Sequence, residues 1–205
     1  MLNHYRGFTL NRKGAFIVIE GLDGSGKTTQ AKLLAQRLPD AVCTAEPSHG
    51  KIGTYIRKSV LYGGERASVL VEALLFAADR IEHIQNEIQP ALDKGQGVVC
   101  DRYTYSSLAY QGSAGLDLDW IQAINQNALK PDFALFIDVD PEVVLARLKR
   151  RKSVMENLET QRKVRQIYQK FVDKGELVRV DGDKPVEVVA NDVFSVVSKF
   201  LKTRL

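Results

Sequence analysis

Gly21-Leu22-Asp23-Gly24-Ser25-Gly26-Lys27-Thr28 stands between the apolar run Ala15-Phe16-Ile17-Val18-Ile19-Glu20 and a segment, Lys27 to Leu38, that carries Ala31, Leu33, Leu34, Ala35 and Leu38. The apolar run, bounded by Gly14 and Gly21, reads as a fully buried strand. The segment behind it reads as a helix stopped by Pro39. The eight residues fit G-x-x-x-x-G-K-[ST], and each fixed position has a physical reason. The glycines let backbone N–H groups converge on phosphate oxygens, and the helix aims its positive end at the same point. Lys27 reaches the terminal phosphates as a point charge, and the Thr28 hydroxyl is a magnesium ligand. A chain of this length matches the pattern by chance roughly one time in a hundred, and the flanking strand and helix lower that further. Gly21, Leu22, Asp23, Gly24, Ser25, Gly26, Lys27 and Thr28 are therefore the expected cradle for a nucleotide's phosphates.

Strands and helices alternate along the rest of the chain. Further strands are expected at Ala41–Ala45, Gly97–Asp101, Phe133–Val139 and Leu177–Val180. Helices are expected at Gly53–Leu61, Arg66–Lys94, Tyr105–Gln111, Leu118–Leu129, Glu156–Lys174 and Pro185–Leu201, and one opens at Pro141 and runs through Arg147–Lys152. This order implies an α/β fold, a doubly wound five-stranded parallel sheet with both faces covered. The 205 residues suffice for one such domain, 15–205. Residues 1–14 are polar and read as an N-terminal extension, expected to be poorly ordered. The middle of the longest helix, Val69 to Ala78, is apolar nearly all round, so it must be covered on more than one side, by the core or by a second subunit.

Composition narrows the function classes. Net charge is +4, which fits either an ordinary solvated surface or an anionic ligand. Cys43 and Cys100 read as buried free thiols, and His4, His49 and His83 do not cluster, so no zinc site is expected. No apolar stretch of about 18 residues exists to span a membrane. Met1 to Lys13 has no apolar core of a secretory signal, and the cytoplasm is the default location. The chain has no Asn-Lys-x-Asp guanine motif and is small for a motor. Phosphoryl transfer to a small acceptor is the class that remains.

Three further features bear on that class. Asp101-Arg102-Tyr103 ends a strand, where side chains enter the ligand crevice. Asp101 there holds magnesium and Arg102 forks onto a phosphate, or the two are only a strand-end ion pair. Phe76 and Arg80, four apart on a helix, share a face that suits a planar base, or else they are core packing and a surface ion pair. Arg147, Lys149, Arg150, Arg151 and Lys152 form a charge run that is either a solvated face or a lid around 147–156 that brings cations onto the transferred group.

These pieces together resemble thymidylate kinases, the P-loop nucleoside monophosphate kinases that convert dTMP to dTDP with ATP. The resemblance is carried by Ile19 to Gln30, Glu46-Pro47, Leu74 to Arg80, Asp101-Arg102-Tyr103 with Ser106 to Gly112, and Lys130-Pro131-Asp132, in the family's order and spacing. It implies that Asp23 meets the sugar 3′-hydroxyl side of dTMP, Phe76 stacks on thymine and Arg80 reads a thymine carbonyl. It makes Arg102 the acceptor-phosphate arginine, with Glu46, Pro47, Ser106 and Ser107 around the acceptor. Tyr110 and Gln111 lie beside the deoxyribose, and Arg147 lies against adenine. Thr28 and Asp101 hold Mg2+. A homodimer through the 66–94 helix is implied, and neither a nucleic acid nor a membrane is an expected partner.

Some thymidylate kinases carry arginine directly after the loop aspartate. Others carry glycine there and take catalytic arginines from the lid. This chain has Gly24, so the resemblance gives the catalytic set as Lys27, Asp23, Arg102, Arg150 and Arg151. It departs from many relatives in having Ala45 rather than arginine before Glu-Pro, and Ser48 and His49 rather than glycines after it; Lys51 is a candidate replacement for the charge. The rival readings are a kinase of the same fold for another nucleoside or nucleotide, and a nucleotide-dependent module that binds nucleic acid. Phe76, Arg80 and Arg102 are the features that discriminate them.

Overall fold

A computed structural model describes residues 14–61, 67–148 and 157–203. The expected N-terminal extension, apart from Gly14, and the lid beyond Leu148 fall outside them. The sheet has five strands in the order β2-β3-β1-β4-β5: β1 Phe16–Gly21, β2 Val42–Ala45, β3 Val98–Asp101, β4 Phe133–Asp138 and β5 Val178–Asp181. Every pair is parallel, with Ile19 beside Asp101 and Gly21 beside Ile137. The chain steps from β1 outward to β2 and β3 on one side and to β4 and β5 on the other. The crevice at the carboxyl end of β1 is therefore the switch point where such sheets bind ligands.

All six residues of β1 are buried, so both its faces need cover. Its alternate residues Phe16, Val18 and Glu20 face α5 (Thr104–Ser113) and α8 (Leu158–Asp173). Phe16 meets the edge of Tyr103 at 5.0 Å between centroids, and Phe136 of β4 stacks on Tyr168 at 4.8 Å. On the other face α1 (Lys27–Arg37) packs against α9 (Val186–Thr203). Arg37 ties the two helices, donating to the Ala190 carbonyl at 3.2 Å and to Asn191 Oδ1 at 2.9 Å.

Four expectations change. The helix expected over 66–94 is a relay: α3 (Val69–His83), capped by Ser68, passes into a π-helical stretch, Ile84–Ile88, and then α4 (Gln89–Asp93). Pro90 explains the widening, because it has no N–H for the carbonyl four residues back and its ring presses on that carbonyl. A similar π-helical stretch, Ile56–Leu61, extends α2 (Lys51–Tyr55), which starts two residues before the expected Gly53. The helix expected to reach Leu129, α6, covers only Leu118–Ile124. Beyond it Asn125 turns its side chain back, and Nδ2 donates to the Ile121 carbonyl at 2.8 Å in place of a helical N–H. The helix opened by Pro141, α7, ends at Arg147, where Leu148 leaves helical geometry, instead of running into the basic stretch.

Of the two cysteines, Cys100 is buried as expected. Cys43 is exposed, on β2 at the sheet edge. The apolar helix α3 is likewise open on one side: Leu70, Val71 and Leu74 are each about half exposed.

Candidate functional site

The turn from β1 into α1 forms the cradle. Gly24 and Gly26 have φ of 87° and 92°, left-handed values that a side chain resists, and a Cβ on Gly26 would meet nothing within 4 Å. The loop therefore keeps an open, amide-lined concavity at the start of α1. Lys27 Nζ folds back onto the Leu22 carbonyl at 2.6 Å. Burial, and then the neighbouring Arg102 cation, pull the Lys27 ammonium down to about 8, against the pull of Asp101, Asp23 and Glu20. The Ser25 hydroxyl is buried without a partner among the described residues.

Thr28 Oγ1 donates to Asp101 Oδ2 at 2.5 Å, and Asp101 Oδ1 is buried with no partner among the described residues. A hydroxyl and a carboxylate with one unused oxygen, beside a phosphate cradle, are the hard oxygen donors that a magnesium ion takes alongside substrate phosphates and water. The two residues fit that ion.

Arg102 follows β3 with φ of 71°, a left-handed conformation uncommon outside glycine. Such strain persists only where surrounding contacts impose it. Here the Arg102 N–H donates to the Ile19 carbonyl at 3.0 Å, and Glu20 fixes the residues that follow. Buried Glu20 accepts from the Tyr103 N–H at 2.9 Å, the Ser106 N–H at 3.2 Å, the Ser106 hydroxyl at 2.6 Å and the Tyr168 hydroxyl at 2.9 Å. Burial pushes the Glu20 carboxyl up, and those donors together with Arg102 pull it back only in part.

The turn throws the Arg102 guanidinium across the loop. It pairs with Asp23 Oδ1 and reaches Ser106 Oγ at 3.1 Å and Tyr110 Oη at 3.3 Å. Tyr110 donates to Asp23 Oδ2 at 3.0 Å and carries the Arg102 cation over its ring at 5.0 Å. Burial raises the Asp23 carboxyl, but Arg102 and Lys27 outweigh it and the net shift is downward. Asp23, Arg102, Ser106 and Tyr110, singled out separately, are thus one cluster against the phosphate loop.

Arg80 is not a surface ion pair. It is fully buried and lies over the Tyr103 ring at 5.1 Å. Burial opposes its charge, but the Glu46 carboxylate more than compensates and raises its pKa. Nε and Nη2 both donate to Glu46 Oε2, at 3.0 and 2.6 Å, and Nη2 also reaches Ser107 Oγ at 3.2 Å. Phe76, one turn earlier on α3, is half-buried and keeps an open side. Gln111 is buried, with Oε1 unpartnered among the described residues.

The Glu46–Pro47 bond is cis. The loop after it is clamped: the Ser48 N–H and hydroxyl donate to Asp79 at 2.7 and 2.5 Å, and Arg57 donates to the carbonyls of Pro47 and of Ser48, the latter at 2.6 Å. Ser48 thus has a structural reason. Arg57, from the π-helical stretch Ile56–Leu61, brings a cation onto this loop, and Lys51 is exposed.

Beside the loop, at Gly24 and Gly26, a cavity of about 310 Å³ is lined by these and by Gln30, Arg147, Pro185 and Val186, among others. Arg147 donates to Asp183 Oδ1 at 2.9 Å. Arg150 and Arg151 lie outside the described residues. No described helix is long and apolar enough to cross a membrane.

Reading the sequence missed Glu20, Asn125, His83 and Arg57. The signal for Glu20 was available, since a carboxylate closing a fully buried strand demands partners. Asn125 was hidden inside a helix drawn too long.

A family model described as thymidylate kinase matches residues 19–193. The chain is 46% identical over 197 residues to a probable thymidylate kinase of Pyrococcus abyssi, covering 90% of this chain and 96% of the relative. It is 42% identical over 191 residues to one of Pyrobaculum aerophilum, covering 92% and 98%. It is 45% identical over 182 residues to one of Methanocaldococcus jannaschii, covering 87% and 93%.

Proposed function

The chain belongs to the thymidylate kinase family, and on that premise we propose that it transfers the γ-phosphoryl group of ATP to dTMP, giving dTDP and ADP, by the following division of labour. Lys27 balances the β- and γ-phosphates over the amides of Gly21 to Thr28. Arg147 lies against adenine, in the cavity it shares with Gly24 and Pro185. Arg102 takes the acceptor phosphate, and Asp23 and Tyr110 meet the deoxyribose, with Gln111 and Ser106 beside them. Arg80, with Glu46, Pro47 and Ser107 around it, reads a thymine carbonyl, and Phe76 stacks on the ring. A magnesium ion held by Thr28 and Asp101 would neutralise phosphate charge. The attacking group is a phosphate oxygen of dTMP, already an anion, so no residue has to remove a proton. The new O–Pγ bond forms as the bond from Pγ to the ADP oxygen breaks, and catalysis is positioning plus charge stabilisation. Because Gly24 offers no side chain, the remaining positive charge is assigned to Arg150 and Arg151 of a lid around 147–156, carried by the single domain 15–205.

One observation supports this above others: Asp23, inside the phosphate loop, is paired with Arg102, so donor and acceptor elements meet at one ion pair. With ATP and Mg2+, ADP release is expected to be fastest with dTMP in a panel of nucleoside monophosphates and nucleosides. No turnover with dTMP beside good turnover with another acceptor overturns the substrate.

A cytoplasmic location and a homodimer belong to the same proposal. The exposed apolar face at Leu70, Val71 and Leu74 of α3 supports the dimer. Light scattering at micromolar concentration is expected to give twice the chain mass, and a monomer contradicts it.

A further inference from the structure

Arg80 has five N–H groups, and the cage around it uses four. Nε–H goes to Glu46 Oε2, the two on Nη2 go to Glu46 Oε2 and Ser107 Oγ, and one on Nη1 goes to Asn125 Oδ1. A single Nη1 N–H is left for a ligand among the described partners. Its direction is that of the whole planar guanidinium, and Glu46 supplies two of the four bonds that set it. A carboxylate turns broadly about its last torsion, so Glu46 aims Arg80 only if its other oxygen is held too.

That oxygen, Oε1, is 3.4 Å from Nδ1 of His83, the last residue of α3. On the far side of the ring, Nε2 is 2.7 Å from Thr44 Oγ1 of β2. One neutral tautomer serves both contacts: the Thr44 hydroxyl donates to Nε2, and Nδ1–H donates to Glu46 Oε1. Glu87, one turn on and partly exposed, lies 3.4 Å from Nε2 and competes for it if the Thr44 hydroxyl is removed. Thr44, His83, Glu46 and Arg80 are all buried, and each touches the next.

We propose that His83 is a positioning residue for base recognition: through Glu46 it aims the Arg80 N–H that has no partner among the described residues. This rests on the assignment of Arg80 to the base under Proposed function. An N–H placed there donates to a pyrimidine 4-carbonyl and opposes a 4-amino group, so loosening the aim weakens both dTMP binding and the rejection of dCMP. Misplacement of about 1 Å can cost as much as a hundredfold, and a relay of this kind acts at the lower end of that range.

The test is steady-state kinetics on folded variants. In His83→Leu, KM for dTMP is expected to rise about tenfold and the preference for dTMP over dCMP to fall, with KM for ATP within about twofold. His83→Asn returns KM for dTMP toward wild type, because its amide N–H sits near the position of Nδ1–H. Thr44→Val leaves the imidazole in place but frees its tautomer, and it raises KM for dTMP about threefold. A purely structural histidine would lower melting temperature and apparent kcat while leaving both KM values alone. Arg80→Lys keeps the charge beside Glu46 and separates the two claims. If it leaves KM for dTMP unchanged, the base-reading role of Arg80 fails and this proposal with it. If it raises KM while folded His83→Leu and Thr44→Val do not, the relay alone is overturned. Should His83→Leu not fold, Thr44→Val decides.

Discussion

Arg102→Leu is expected to lower kcat/KM for dTMP by about 10³-fold, or ~4 kcal/mol of transition-state stabilisation, with KM for ATP changing far less. Two losses add. The incoming phosphate no longer finds a fork of donors, and Asp23 is left beside it as an unpaired carboxylate, since Arg102 is its ion-pair partner. The second loss can be separated. Asp23→Asn in the Arg102→Leu background removes the repulsion and should recover about tenfold, a coupling that independent residues would not show. Arg102→Lys keeps a charge but not the geometry that reaches Asp23, Ser106 and Tyr110 together, so it should fall between the two. Steady-state kinetics with dTMP varied at saturating ATP gives all three values. Wild-type-like turnover in Arg102→Leu would remove the acceptor-phosphate role.

The parallel sheet could be anticipated because its causes are local. Short apolar runs between helical segments leave few options besides a parallel sheet, and burial on both faces leaves no alternation to misread. What the sequence concealed was where helices stop. Leu118 to Leu129 has no proline or glycine to mark an end, and the helix stops at Ile124 because the Asn125 side chain replaces the missing backbone donor. That stop brings Asn125 onto Arg80. Pro90 was visible, but whether it breaks, kinks or widens a helix depends on what the helix packs against.

The site was legible as residues and not as pairings. Asp23, Arg102 and Tyr110 are far apart in sequence, and nothing in their spacing says that they share one cluster. Helical geometry alone favours a surface ion pair for Arg80, because periodicity says which residues share a face and not how deep that face lies. Its burial depends on Glu46, Ser107 and Asn125 arriving from three other segments. The left-handed Arg102 has no sequence signature, because arginine adopts that conformation only when contacts such as those of Glu20 enforce it.

Lys27→Met should separate activity from stability. Without the ammonium the β- and γ-phosphates lose their nearest fixed cation, and kcat is expected to drop about 10³-fold. Stability should move the other way. Burial, with Arg102 next, holds the folded Lys27 pKa at about 8, below the ordinary 10.5. Between those values the unfolded chain binds more protons than the folded one, so stability rises with pH there; below 8 the cost of the buried charge is fully present. Methionine removes that cost, and the variant should be more stable than wild type at pH 7, by about 1–3 kcal/mol in denaturant unfolding. The same titration governs the donor. ATP meets a protonated Lys27 below pH 8 and an increasingly neutral one above it. For wild type, kcat/KM for ATP should therefore decline through pH 8, approaching a tenfold loss per pH unit, while Arg102, whose pKa lies well above the ordinary arginine value, stays charged throughout. The decline should vanish in Lys27→Met, whatever its residual rate. A wild-type profile that is flat from pH 7 to 9.5, or one that keeps its slope in the methionine variant, would mean that another group titrates and that Lys27 is charged before nucleotide arrives.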